Sequence, residues 1–403
     1  MTVSAHTIHA YVGDTELEVI DANLELNESW SPYVQASLTI HAPDLATVNA
    51  IDPRSKTHVR VFVEEVFGES EHVSHLTALY GGGTLAALTT AYTTKFLFAL
   101  TALWFQPWNS FGVRASTRRD FYLSVRRRTI DHAAGTVSID LASDEMYLQD
   151  YALASTLVYA PGTLSVRAAV SDALARIGAY LQAGTADGTI EANASSWLPG
   201  QSAWDYVSPL VQQAKLRLYC DEKGRFWLVS DGYTEPGQTV LTYTGTIVSG
   251  EDEIDRDGDA WFDAVVISYK WTDSLGATLT NYDFAAQPNF SKVKHLEYTT
   301  AYPGPGAAQQ VLNRSLAKGR TQSVTAVSDY SVTPSQAVSV ALPDTDVQTG
   351  YVSSVSWAYP ADEMQVTTRG LVETPSTAWI FTPAGISWNS VSAGVSWNTY
   401  HYP

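Results

Sequence analysis

Val59, Val61 and Val63 alternate with Arg60 and Phe62, and the same period of two recurs through much of the chain. Side chains spaced in this way line opposite faces of a pleated strand, so one face needs an apolar layer to cover it. Ile8, Ala10 and Val12 alternate with His9 and Tyr11 ahead of a turn at Gly13-Asp14, and Leu17 and Val19 continue beyond it. Residues 121–128 and 136–142, joined by the turn at 131–135, read as a hairpin that buries Val137, Ile139 and Leu141. These patterns predict a first β domain over residues 1–155.

After Pro161 the period becomes helical, with Val166, Val170, Leu174, Ile177 and Leu181 on one face and Gly184 as the stop. A second helix starts at Ser202, with Asp205 in a capping-box-like position. Trp204, Val207, Val211 and Ala214 form its expected buried stripe, and Pro209 should weaken or kink it. Residues 216–220 and 225–229 then flank a turn at 221–224. Residues 156–236 therefore read as a small α+β domain. A second β domain is expected over 237–375, with strands at 240–243, 264–269, 337–342, 350–357 and 363–369 and a helical insert at 285–320. The predicted fold class is mainly β with an α+β insert.

The chain has 403 residues, 12 Trp, 22 Tyr and a net charge of −18. So many large rings exclude a disordered polymer, and the acidic balance argues against a protein whose main business is clamping nucleic-acid phosphates. One cysteine, Cys220, excludes an internal disulfide framework or a CxxC zinc site. The first residues show no basic segment followed by an apolar one, so no signal peptide is expected and folding in the cytosol is.

Catalytic signatures are lacking. The acids Glu253, Asp255 and Asp257 before Gly258 imitate a calcium loop, but Ala264 stands where the bidentate glutamate is needed. His72 and His75 have no zinc-site context, Gly81-Gly-Gly83 has no following lysine, and Cys220 reads as a small core residue. Asp144-Glu145 is a carboxylate pair of a kind common on surfaces. No enzyme, cofactor or metal site is expected.

The order of several segments carries a resemblance. Gly200-Gln-Ser-Ala-Trp-Asp205 leads into a hairpin turning at Asp221-Glu-Lys-Gly224, and later come Asp329-Tyr-Ser-Val-Thr-Pro334 and the strands at 337–342, 350–357 and 363–369. With Ile51-Asp-Pro-Arg54 and Ala142-Ser-Asp-Glu145, this series resembles the tail-hub proteins of long-tailed bacteriophages, over most of residues 1–375. The resemblance implies two tube-type β-barrel domains flanking the α+β domain in a ring-forming hub. It implies a homotrimer that matches a sixfold tail tube to a threefold tip, in the virion at the tail tip. Its neighbours would be a distal tail or tube ring above and tip or fibre proteins below, with genomic DNA passing through. A negative lumen would repel phosphates and let DNA slide.

Three features depart from the family pattern. The insert 71–111 is nearly uncharged, and its Phe96, Leu97, Phe98, Trp104, Phe105 and Trp108 suggest a subunit contact or plug, or a segment that contacts the host membrane. Residues 376–403 repeat Gly-Ile-Ser-Trp and Gly-Val-Ser-Trp, so Trp388 and Trp397 suit a docking arm or, alternatively, a sugar-facing surface. As the third departure, no cell-wall-cleaving module is expected beyond the core. Apart from these departures, the basic run Arg114, Arg118, Arg119, Arg126, Arg127 and Arg128 stands out: Arg126 and Arg128 are candidates for subunit docking, against a plain outer strand face with Arg127 pointing the other way. The expected function is a structural hub, with a receptor- or carbohydrate-binding tail protein second and a wall-degrading tail enzyme third.

Overall fold

Strand formation follows the alternation. The computed structural model describes residues 2–69, 115–162, 165–243, 245–254, 256, 259–272, 276–343 and 345–373. Strand β1 (Thr2–Val12) turns at Gly13 into β2 (Thr15–Leu17), followed by β3 (Val19–Asn27) and β4 (Val34–His41). Helix α1 (Leu45–Ala50) is capped by Asp44, whose carboxylate accepts the Thr47 amide at 2.8 Å. Then come β5 (His58–Glu69), β6 (Ala115–Asp131) and β7 (Thr136–Ala142). They pair antiparallel in the order β3-β4-β7-β6-β5-β1-β2, and Ala10, Leu24, Ile40, Val61, Leu123 and Ile139 are buried on the inner face.

Helix α2 (Glu145–Asp150) leads into the α+β unit of α3 (Val166–Ile177), α4 (Ala203–Gln213), β8 (Leu216–Cys220) and β9 (Phe226–Ser230). The hydroxyls of Ser165 and Ser202 cap the two long helices. Helix α3 stops earlier than its apolar period suggests: Gly178 takes the left-handed conformation (φ 83°) that terminates it. Leu181 lies beyond the helix and bridges to Phe226 instead. Helix α4 runs through Pro209 because a side chain replaces the bond that the proline cannot make. The orphaned carbonyl of Asp205 accepts from Gln201 Nε2 at 3.2 Å. Asp221 organises the β8–β9 turn by accepting from the amides of Lys223 and Arg225, from Arg225 Nε and from Trp227 Nε1, at 2.8–2.9 Å.

The remaining strands are β10 (Glu235–Thr242), β11 (Ile247–Glu253), β12 (Ala264–Thr272), β13 (Thr278–Ala286), β14 (Val293–Tyr298), β15 (Thr321–Val327), β16 (Gln336–Ala341), β17 (Gln348–Tyr359) and β18 (Glu363–Glu373), with helix α5 (Ala307–Leu316) after β14. Strands β10, β16, β17, β18, β15 and β11 pair in that order. Strand β17 also pairs with β3, from Ser354–Asn27 to Tyr359–Ala22. The two β halves thus form one thirteen-stranded sheet around one shared apolar core. The mainly β class with an α+β insert is as expected, but among the described residues no pairing closes either half into a barrel.

Residues 264–269 do form a strand, yet it leaves the large sheet. Strand β12 pairs with β13 and β14 in a separate three-stranded sheet packed on α5. Strands β13 and β14 extend the expected helical insert, 285–320, into a β+α layer. Only Asp283 and Ala285 are buried along β13, so it carries no apolar alternation to read. Helix α5 begins at Gly306, which has no side chain to cap it, and Asp283 Oδ2 accepts the amides of Gly306 and Ala308 at 3.0 and 2.8 Å. A Cβ on Gly306 would stand 2.6 Å from the Gln213 carbonyl oxygen, which shows how closely α5 abuts the end of α4. Removing this borrowed cap with Asp283→Ala should cost about 1–2 kcal/mol in calorimetric unfolding, and Asp283→Asn should restore most of it.

Candidate functional site at the module junction

Four parts of the chain meet at Glu28, in the loop after β3. Its amide donates to the Ser353 carbonyl of β17 at 3.1 Å. Its carboxylate accepts from Arg369 of β18 through both Nε and Nη2, and from Ser335 Oγ at 3.0 Å. Arg217 of β8 stands 3.9 Å away, bringing the α+β unit into the same network. Beside it lies a cleft of about 210 Å³ whose lining includes Ser29, Asp231, Arg314 and Lys318. Arg314 pairs with Asp231 at 3.2 Å, and Lys318 Nζ donates to Ser29 Oγ at 3.2 Å. Burial lowers the Lys318 pKa, opposed by Glu28 and reinforced by Arg314 and Arg369. The Glu28 side chain is only 10% exposed, so its loss strands two guanidinium groups. Glu28→Gln should lower unfolding stability by about 3 kcal/mol in urea titrations.

A second set of contacts fastens the 329–335 segment to the first half. Arg119 donates to the carbonyls of Tyr330 and Val332, both at 2.8 Å, and to Thr333 Oγ1 at 3.2 Å. The Glu65 carboxylate accepts the Tyr330 amide at 3.0 Å. Trp357 stacks on Tyr330 at 5.1 Å, meets Phe121 edge-on, and donates Nε1 to the Asp329 carbonyl.

The third junction is Glu145, fully buried at the start of α2. It accepts from Ser31 Oγ at 2.6 Å and from the Cys220 amide at 2.7 Å, linking the first half to β8. Burial raises its pKa to about 7 against the opposing pull of these donors. The folded state therefore holds the Glu145 proton that the unfolded chain releases near its ordinary value of 4.5. The stability from this group is complete below that value and is lost as pH rises towards 7, on the order of 3 kcal/mol in all. Glu145→Gln should flatten that part of the pH–stability curve and make the variant the more stable protein at pH 8.

The sequence candidates fall in different places. Arg126 and Arg127 are both exposed, while Arg128 is half-buried and donates to the Val48 carbonyl of α1. The alternation expected for the three is broken by a bulge between Val125 and Arg127, which returns Arg128 to the phase of the buried positions. Arg127 instead pairs with Asp140 at 2.6 Å. Phe96, Leu97, Phe98, Trp104, Phe105 and Trp108 lie outside the described residues, as do Trp388, Trp397, His72, His75, Asp255 and Asp257. Among the described residues no group of three His, Cys, Asp or Glu side chains could hold a metal. Asp144 accepts from Ser124 Oγ at 2.6 Å and lies 3.1 Å from His58 Nε2, so this carboxylate too is committed to internal contacts. Cys220 is buried, and burial raises its thiol pKa. The junction residues Glu28, Arg217 and Arg369 carried no local motif. Their only signal was that each is a charge set among strand residues.

No protein-family model and no curated protein matches this sequence. Among solved structures, a tail protein from Neisseria meningitidis superposes with a TM-score of 0.52 at 14% identity, covering 90% of this chain and 96% of that one. The 43 kDa tail protein of prophage MuSo2 from Shewanella oneidensis gives 0.51 at 10% identity, covering 90% and 97%. The chain has a tail-protein fold. The likeness covers nine-tenths of this chain in both comparisons.

Proposed function

We propose that this chain is a structural protein of a phage-type tail, residing in the virion at the tail tip as its hub. The observation that supports this reading most is the near end-to-end likeness to two tail proteins, which covers almost the whole length of each. The junction fits a part that bears load: the ion pair at Glu28, the hydrogen bonds of Arg119 and the buried Glu145 tie separate units into one block. In this reading three copies close a ring between a sixfold tube and a threefold tip, since closed symmetry satisfies every interface. Exposed Arg126 helps dock a neighbouring copy, whereas Arg128 is engaged on its own α1. Trp388 and Trp397 anchor an arm on an adjoining tail protein, and the apolar insert 71–111 plugs the ring or meets the host membrane. The acidic surface lets the genome pass without being held.

Light scattering of the full-length protein, alone and mixed with tail-tube protein, should give the mass of a trimer, with threefold particles in negative stain. A monomer under both conditions would overturn the hub. The double variant Trp388→Ala, Trp397→Ala should keep the trimer and lose co-purification with its neighbours.

A further inference from the structure

The cleft beside Glu28 gathers more positive charge than its own carboxylates balance. Arg217, Arg314, Lys318 and Arg369 line it against Glu28 and Asp231, in a chain whose net charge is −18. The two carboxylates are already shared out. Glu28 serves Arg369 and Arg217, and Asp231 serves Arg314. Lys318 hydrogen-bonds the neutral Ser29 hydroxyl, and burial together with Arg314 and Arg369 disfavours its charge. Partly buried cations in such surplus are stabilised by an anion among them.

An adjoining cleft of about 310 Å³ shares Glu28, Ser29, Arg217 and Arg314. Gln310 lines it, 2% exposed, with Oε1 lacking a hydrogen-bond partner. Its Nε2 is held by the Leu216 carbonyl at 2.8 Å and approaches Asp231, beside Arg314 one helical turn along α5. That fixes the amide and leaves Oε1 as an acceptor that calls for a donor. The complementary ligand carries negative charge and an O–H group together.

We propose that the two adjoining clefts together bind a small oxyanion bearing a hydroxyl, of the hydrogen phosphate class, held at their shared residues Arg217 and Arg314, with Lys318 on one side and the ion's O–H donated to Gln310 Oε1 on the other. The ion bridges β8 to α5 and the residues just after it, so its binding reinforces the junction. Internal phosphodiesters of duplex DNA have no such O–H, and a duplex is too wide for the cleft.

Isothermal titration of the full-length protein with inorganic phosphate, at ionic strength fixed with sodium chloride, should show saturable binding and a raised Tm. Sulfate should bind more weakly, and short duplex DNA should not compete. Lys318→Gln and Arg314→Gln should each weaken phosphate binding about tenfold or more. Arg54→Gln, on an exposed ion pair elsewhere, should bind as the parent does. Equal Tm changes with phosphate and chloride, or unaltered binding by folded Arg314→Gln, would overturn the site. Sulfate binding as tightly as phosphate would overturn the part given to Gln310, and competition by duplex DNA would overturn the free ion as ligand. Because Arg314 is the more exposed of the two positions, its variant carries the test should Lys318→Gln fail to fold.

Discussion

The pairing of β17 with β3 is the contact on which the rest of the molecule depends. It turns two sets of strands into one thirteen-stranded sheet and lets them share a core. A backbone ladder is indifferent to side-chain identity, so register has to be pinned by other means. Glu28, just past the end of β3, does so by reaching Arg369 on β18 and Ser335 ahead of β16. Trp357 adds an apolar pin, because its ring can meet both Phe121 and Tyr330 in one register only. The charged groups at this seam contribute less to net stability than to choosing one arrangement, since burying ions is costly unless each is matched.

Much of the large sheet was legible in the sequence, because its strands bury one face and expose the other. Val59, Val61 and Val63 are fully buried, as are Val137 and Ile139. The hairpin at Asp221 was legible for a different reason: a turn with fixed φ demands, with Gly224 at 72°, restricts which residues can occupy it. Strands β11, β13 and β14 were not legible. Along β11 only Ile247 is buried, so no period marks it as a strand. Such segments become strands because a neighbour offers hydrogen-bonding partners, and that information is not local.

The junction was hidden for a related reason. Glu28, Arg217 and Arg369 come from parts of the chain that no short-range pattern connects. Arg119 looked like one member of a basic run, yet it caps carbonyls of the second half. The bulge at Arg126 likewise changes the side on which Arg128 lies, and a strict alternation cannot foresee a bulge. What the sequence did carry was order: strands first, then the helices and hairpin of residues 166–230, then strands again.

The position of β3 in the sheet has a consequence for synthesis. Its outer edge stays unpaired until β17, near the end of the described chain, has emerged from the ribosome. Until then a growing chain displays an open strand with Leu24 and Leu26 on one face, ready to pair with any extended segment nearby. Completing so distant a pairing pays a large loop-closure entropy and is slow. An edge left open for that long favours pairing with other chains until β17 covers it.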